Sequence, residues 1–190
     1  LAKDPSNLNT VFELAQLYYK ASDFNMSLQF CSVILNKDSV NQSAMGLAAL
    51  NLVGLKALDK AVDLYKVMAV KFNNPSFLYQ ASVIEFEAKK FDPCITTITA
   101  LLKDSLSMNQ KIVIRRQNAI GKVVSEEISL PAAAFNILGF VSLEKNNLAD
   151  AKAYFGKALA IEPSFILAEN NLKEVLKKEK ESPVKKKEEK

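Results

Sequence analysis

The chain has 190 residues, 49% hydrophobic and 24% charged, a globular composition with room for one domain or a short repeat array. It holds no His and only two Cys, Cys31 and Cys94, far apart and outside any CxxC pattern; this excludes a Ser-His-Asp triad, a Cys-His dyad, a His-ligated metal site and a disulfide framework. The net charge is +4, but from Lys173 onward eight Lys face five Glu, which leaves 17 basic and 16 acidic residues elsewhere, a body poorly suited to tracking a phosphate backbone.

Five Gly with abundant Ala, Leu and Lys favour helix over a turn-rich β fold. No apolar run approaches the roughly 18 residues of a membrane span. The first residue is Leu and no signal peptide is visible, so the chain reads as a fragment or processed form. The compartment stays open between cytoplasm and export after signal removal.

In chain order, "LAKDP" reads as the last turn of an upstream helix, assigned to residues 1–7, because Pro5 precedes the next helical stretch as Pro163 does later. "LNTVFELAQLYYKASD" follows as a helix with Val11, Leu14, Ala15 and Tyr18 in register, then "SLQFCSVIL" with Ser27, Cys31 and Ile34. The same offsets, small residue, large residue four on, apolar residue three later, return as Ala61, Tyr65 and Met68, as Cys94, Ile98 and Leu101, and as Ala151, Phe155 and Ala158. The steps are 34, 33 and 57 residues. The last is one period with an insert. Any amphipathic bundle shows Ala and Phe at such offsets, but four registers at this spacing are hard to obtain by accident.

The pattern has local physical reasons. Two helices crossing closely need small residues, which Ala15 with Ser27, Ala49 with Ala61 and Gly139 with Ala151 supply. The large residue four on lies on the same helix face and fills the space between hairpins. Pro163 ends the second helix of the last unit.

On these residues the sequence resembles the tetratricopeptide repeat (TPR) family, whose 34-residue pattern runs W-x2-L-G-x2-Y, A-x3-F, P. The last unit carries it at Leu138, Gly139, Ala151, Phe155, Ala158 and Pro163, with Phe135 in place of the Trp and Ser142 in place of the Tyr. The first keeps Leu14, Ala15 and Tyr18; the middle units are looser, with Ala48, Ala49 and Leu52, then Ala81, Ser82 and Glu85. The resemblance covers about residues 1–172 apart from the insert. It implies an all-α helical-hairpin solenoid of about four hairpins, with units 1–3 over 8–106 and unit 4 over 132–164.

Residues 107–131 form the insert. The β-branched runs "KIVI" and "KVVSEEI" flank "QNAIG" and predict a β-hairpin that sets Arg115 and Arg116 near Glu126 and Glu127. The hairpin reads either as an arm shaping a binding surface or as a decorated loop, since loops tolerate insertions. Residues 165–178 predict a C-terminal capping helix with Phe165, Leu167, Ala168, Leu172, Val175 and Leu176 on its apolar face. Residues 179–190 predict a solvated charged tail.

No phosphate-binding Gly loop, GxSxG or metal-spaced carboxylate set is present, and Glu126 and Glu127, strand neighbours, point to opposite faces. The expectation is a non-enzyme without metal or cofactor. The resemblance implies that the first helices of successive units line a concave groove. Its positions here are Asn9, Phe12, Gln16, Tyr19 and Lys20; Ser43, Gly46, Leu50 and Val53; Ser76, Tyr79, Val83 and Phe86; and Ala133, Asn136, Phe140 and Leu143. Of these, Phe12, Gln16, Tyr19, Leu50, Tyr79, Val83, Phe86, Asn136 and Phe140 are the expected partner-binding residues, Gln16 and Asn136 fixing register by hydrogen bonds. Some TPR cochaperones hold a C-terminal carboxylate with Lys and Asn at the positions of Phe12 and Gln16, so this chain lacks that clamp. The expected partner is a protein or peptide segment with apolar or aromatic anchors. The competing readings are internal cover of the groove, self-association through the N-terminal end, and nucleic-acid binding through the tail with Arg115 and Arg116.

Overall fold

The computed structural model describes residues 7–117 and 121–181. These fall into two compact units, one through Lys90 and one from Phe91 onward. Residues 1–6 of the expected upstream helical turn and most of the expected tail lie outside the described residues, and Asn7 caps the first helix.

The first unit is a run of helices: α1 (Leu8–Lys20), α2 (Phe24–Lys37), α3 (Gln42–Gly54), α4 (Leu58–Lys71) and α5 (Ser76–Glu87), each packed on the next. Short polar side chains start them. Asn7 accepts from the Asn9 amide at 3.0 Å, Asp23 from Met26 at 3.1 Å and Asn41 from Ala44 at 3.0 Å, each satisfying an amide the first turn leaves open. The expected crossings are present. Ala15, Ser27, Ala49 and Ala61 are fully buried, and the Ser27 hydroxyl donates to the Ala15 carbonyl at 2.7 Å, tying α2 to α1. Tyr65 and Met68 fill the space between α3, α4 and α5 with Met45, Val62, Ala81 and Ile84.

The second unit contains α6 (Phe91–Lys103), a 3-10 turn (Ser105–Asn109), β1 (Lys111–Gln117), β2 (Val123–Ser129), α7 (Leu130–Glu144), α8 (Leu148–Ile161) and α9 (Ile166–Glu181). The insert is thus a hairpin preceded by a helical turn. β1 and β2 pair antiparallel with Arg116 opposite Val124 and Ile114 opposite Glu126. The opposed charges meet on a diagonal: the Arg116 Nε donates to Glu126 at 2.6 Å. Even-numbered strand residues are covered and odd-numbered ones exposed, as a two-residue period requires, except Ser129 at the end of β2, which is half-buried. α9 runs three residues beyond the expected 178, to Glu181, drawn out by Glu169–Lys173 and Glu174–Lys178 pairs and a 2.9 Å Lys152–Glu179 bridge from α8.

One turn geometry recurs. Ser22, Lys56, Lys89 and Asn146 have φ of 61, 61, 57 and 57°, in the left-handed region. Each is followed by an amide that donates back to the helix: Asp23 to Tyr18, Ala57 to Leu52, Lys90 to Glu85 and Asn147 to Ser142, at 2.8–2.9 Å. This is the Schellman closure of a helix end. At these four turns the steps are again 34, 33 and 57 residues, the period of the side chains; Asn73, at φ 47° after α4, closes its helix the same way outside that series, the Asn74 amide donating to Ala69 at 3.0 Å.

Phe155 sits where Gly139 has no side chain. A Cβ on Gly139 would fall inside the Phe155 ring, whereas one on Gly156 would meet nothing within 4 Å. The two glycines therefore predict opposite outcomes. Gly139→Ala overpacks the α7–α8 crossing and costs about 1–3 kcal/mol. Gly156→Ala gains about 0.5–1 kcal/mol from helix propensity. Thermal unfolding of the two variants beside wild type checks the pair.

Candidate functional site

The first-helix positions of the first unit fall into two groups. Gln16 and Leu50 are exposed, Leu50 at 42%. Phe12, Tyr19, Tyr79, Val83 and Phe86 are half-buried. Phe12 and Tyr19, on either side of buried Ala15, pack against Cys31, Leu47 and Ala48. Phe12 also lines a cavity of about 130 Å³ with Leu8, Asn9, Ile34, Asn41 and Ser43. Three positions expected on the groove, Asn9 and Phe12 of α1 and Ser43 of α3, thus share one concavity. Asn41 enters it because it caps α3 there, a residue that sequence reasoning did not single out.

A polar seam lies behind this face. Asn51 is fully buried and donates to the Ser27 Oγ at 2.8 Å and toward the Cys31 Sγ at 3.9 Å, while its own Oδ1 has no partner among the described residues. Glu85, at the position where the first unit has Tyr18, is buried and accepts from Lys66 at 2.7 Å. Sequence reasoning marked Glu85 as a departure without its partner Lys66 and passed over Asn51, because a polar residue at an inter-helix position is legible but the group it meets is not.

In the second unit Asn136 is 4% exposed and accepts from the Asn171 amide of α9 at 3.0 Å. Its oxygen is engaged by the capping helix. Phe140 meets Phe155 edge-on at 5.7 Å and packs on the cluster of Ala151, Phe155 and Val175. Glu126 and Glu127 are 15% and 66% exposed on opposite faces of β2, so they do not converge. Among the described residues no group of three or more His, Cys, Asp or Glu could hold a metal ion, and no helix is long and apolar enough to cross a membrane.

Burial sets the ionisations. It pushes the Cys31 thiol up to about 11 and the Tyr79 phenol up to about 12. Burial also raises Tyr65, helped by nearby Tyr19. All three groups hold their protons in the folded chain at a pH where the unfolded chain has released them. Their contribution to stability is therefore whole below about pH 9 and is lost as pH rises to about 12. Melting temperature measured from pH 8 upward falls over that window, and Tyr79→Phe falls less than wild type above about pH 10, the ordinary tyrosine value.

No family model matches the chain, and no curated protein does. Solved structures do. PilF of Pseudomonas aeruginosa is similar with TM-score 0.63 at 18% identity, covering 92% of this chain and 69% of that one. MamA, from residue 41 to its end, of Desulfovibrio magneticus RS-1 is similar with TM-score 0.59 at 11% identity, covering 94% and 98%. A tetratricopeptide repeat protein from Parabacteroides merdae is similar with TM-score 0.56 at 13% identity, covering 92% and 59%. With helical hairpins recurring at a 34-residue step, small-residue crossings and a shared turn closure, the chain has the fold of the tetratricopeptide repeat proteins.

Proposed function

We propose that this chain is a non-catalytic scaffold that recruits another protein by burying apolar side chains of the partner against the first-helix face of its repeats. The observation that carries the reading is half-buried Phe12 in the wall of a cavity of about 130 Å³ shared with Asn9 and Ser43, on a run of first-helix positions that also leaves Gln16 and Leu50 exposed. Exposed apolar groups beside a cavity suit an aromatic or aliphatic anchor, and amides at the rim suit backbone hydrogen bonds. Phe12 and Gln16 offer no cation to a C-terminal carboxylate. Tyr19, Tyr79, Val83 and Phe86 extend the proposed face within the first unit, and Phe140 is the corresponding first-helix position of the last repeat. Asn136 already has a partner in α9.

The test is capture from the lysate of the native organism with wild type and Leu50→Arg. The substitution is at an exposed position, so melting temperature is expected to hold. Losing the burial of one leucine removes about 1.5–3 kcal/mol, a tenfold or greater fall in retention. A protein retained equally by both versions would rule out this face.

A second reading, self-association, is favoured by the outer side of α1. Leu14, Leu17, Tyr18 and Ala21 line an open apolar depression there, and Leu17 is 59% exposed. Sedimentation across a hundredfold concentration range separates the readings: a monomer throughout removes this one. The nucleic-acid reading is weakened because the Arg116 guanidinium is committed to Glu126.

A further inference from the structure

The repeat register identifies a second site, in the unit that begins at Phe91. In the first repeat Tyr18 of α1 stacks on Phe30 of α2, ring centres 5.4 Å apart and planes 19° apart. One period on, the pair becomes Leu52 and Leu64, both packed against the same hydrophobic cluster. In the last repeat the same two positions hold Ser142 and Tyr154. The large side chain of α7 has become a hydroxymethyl group, and the Ser142 hydroxyl donates back to the Leu138 carbonyl at 2.9 Å, within its own helix.

A cavity of about 200 Å³ lies at this place, with both Ser142 and Tyr154 in its wall. Its inner surface is apolar, from buried Leu138 and Val141 with half-buried Ile95. Its mouth is polar, from exposed Lys145, Asn147 and Asp150. Roughly 150 Å³ suffices for a benzene ring in an apolar protein cavity, so one aromatic ring fits. Tyr154 is fixed in place by its own chain: it stacks on Phe135 at 6.3 Å, and the Lys157 ammonium lies 5.4 Å from its centre. A ring entering beside Ser142 would meet Tyr154 as Tyr18 meets Phe30.

We infer that this cavity is a receptor for a tyrosine side chain carried by a partner polypeptide, which places a ring where the first repeat has Tyr18 and the last repeat has only Ser142. The ring occupies the apolar interior. The phenol hydroxyl reaches the mouth, where Asp150, which already accepts from the Asn147 amide at 2.6 Å, has lone pairs left for its hydrogen, and Lys145, bridged to Asp92 at 2.7 Å, has ammonium hydrogens left for its oxygen. The occupant is aromatic because Tyr154 stands in the wall and the first repeat fills the same place with a stacked ring, whereas the second fills it with Leu52 and Leu64 and the third with Glu85 and Thr97. It is a tyrosine rather than a phenylalanine because the rim is polar. The site is separate from the first-helix face and stands whether or not that face binds.

The full chain, labelled with nitrogen-15, is titrated with p-cresol as the tyrosine side-chain probe. Saturable shifts of the Leu138, Val141, Ser142 and Tyr154 amides at millimolar probe are expected. 4-Methylcyclohexanol, of similar shape but without a π face, should bind at least fivefold more weakly. Ser142→Tyr supplies the ring internally and should abolish the shifts while keeping the amide spectrum folded. Should that variant not fold, Tyr154→Leu, which keeps apolar volume and removes stacking, should weaken p-cresol at least fivefold. The tripeptide N-acetyl-Ala-Tyr-Ala-amide should displace p-cresol. No saturable shift, equal binding of the aliphatic probe, or undiminished binding in the variants overturns the site. If p-cresol binds and the tripeptide fails to displace it, the cavity takes free aromatics only and the partner tyrosine is overturned.

Discussion

The close approach of two helices inside each hairpin is the constraint on which the rest depends. It demands a residue with almost no side chain at each crossing, and Ala15 with Ser27, Ala49 with Ala61, and Gly139 beneath Phe155 meet that demand. Once the backbones are that close, the residue four positions further along the second helix has nowhere to go but between elements. Cys31, Tyr65 and Phe155 all lie there, buried. Where the small residue is Ser27 rather than Ala, its hydroxyl must be bonded. The Ala15 carbonyl and the Asn51 amide do this, so a polar seam follows from one sequence choice at a crossing.

The turns are subordinate to that packing. Left-handed backbone at Ser22, Lys56, Lys89 and Asn146 costs a side-chain-bearing residue about 1–2 kcal/mol, and none of the four is Gly. The conformation persists because each turn closes the helix end with a hydrogen bond to a carbonyl five residues back, and because the next helix is docked. Local propensity alone would not select it. The shared period of these turns is evidence for the repeat that no residue type advertises.

Surfaces arise where the pattern is broken. A repeat that conforms at every position has its inter-helix spaces filled. Ser142 in place of a large residue leaves a cavity beside Tyr154, and Glu85 in place of an aromatic requires Lys66. The capping helix has the reverse effect. It brings Asn171 to Asn136 and so occupies a polar group that a repeat without a cap would present. The same helix is extended by its own charge pairs into the stretch whose composition alone reads as solvated tail.

The sequence by itself determined the period, the hairpin crossings, the position of the β-hairpin and the apolar stripe of the last helix. All of these rest on spacing and residue size, which act through the neighbouring turn or strand and need no knowledge of the fold. It also marked Ser142 and Glu85 as departures. Only the tertiary structure decided what the departures mean. Whether a small residue leaves a hole, whether a buried carboxylate finds an ammonium, and whether an amide faces solvent or α9 depend on which residues distant in sequence arrive at the same place. Arg116 meeting Glu126 on a diagonal is the same lesson at short range: composition supplied both charges, and the strand register chose the pair.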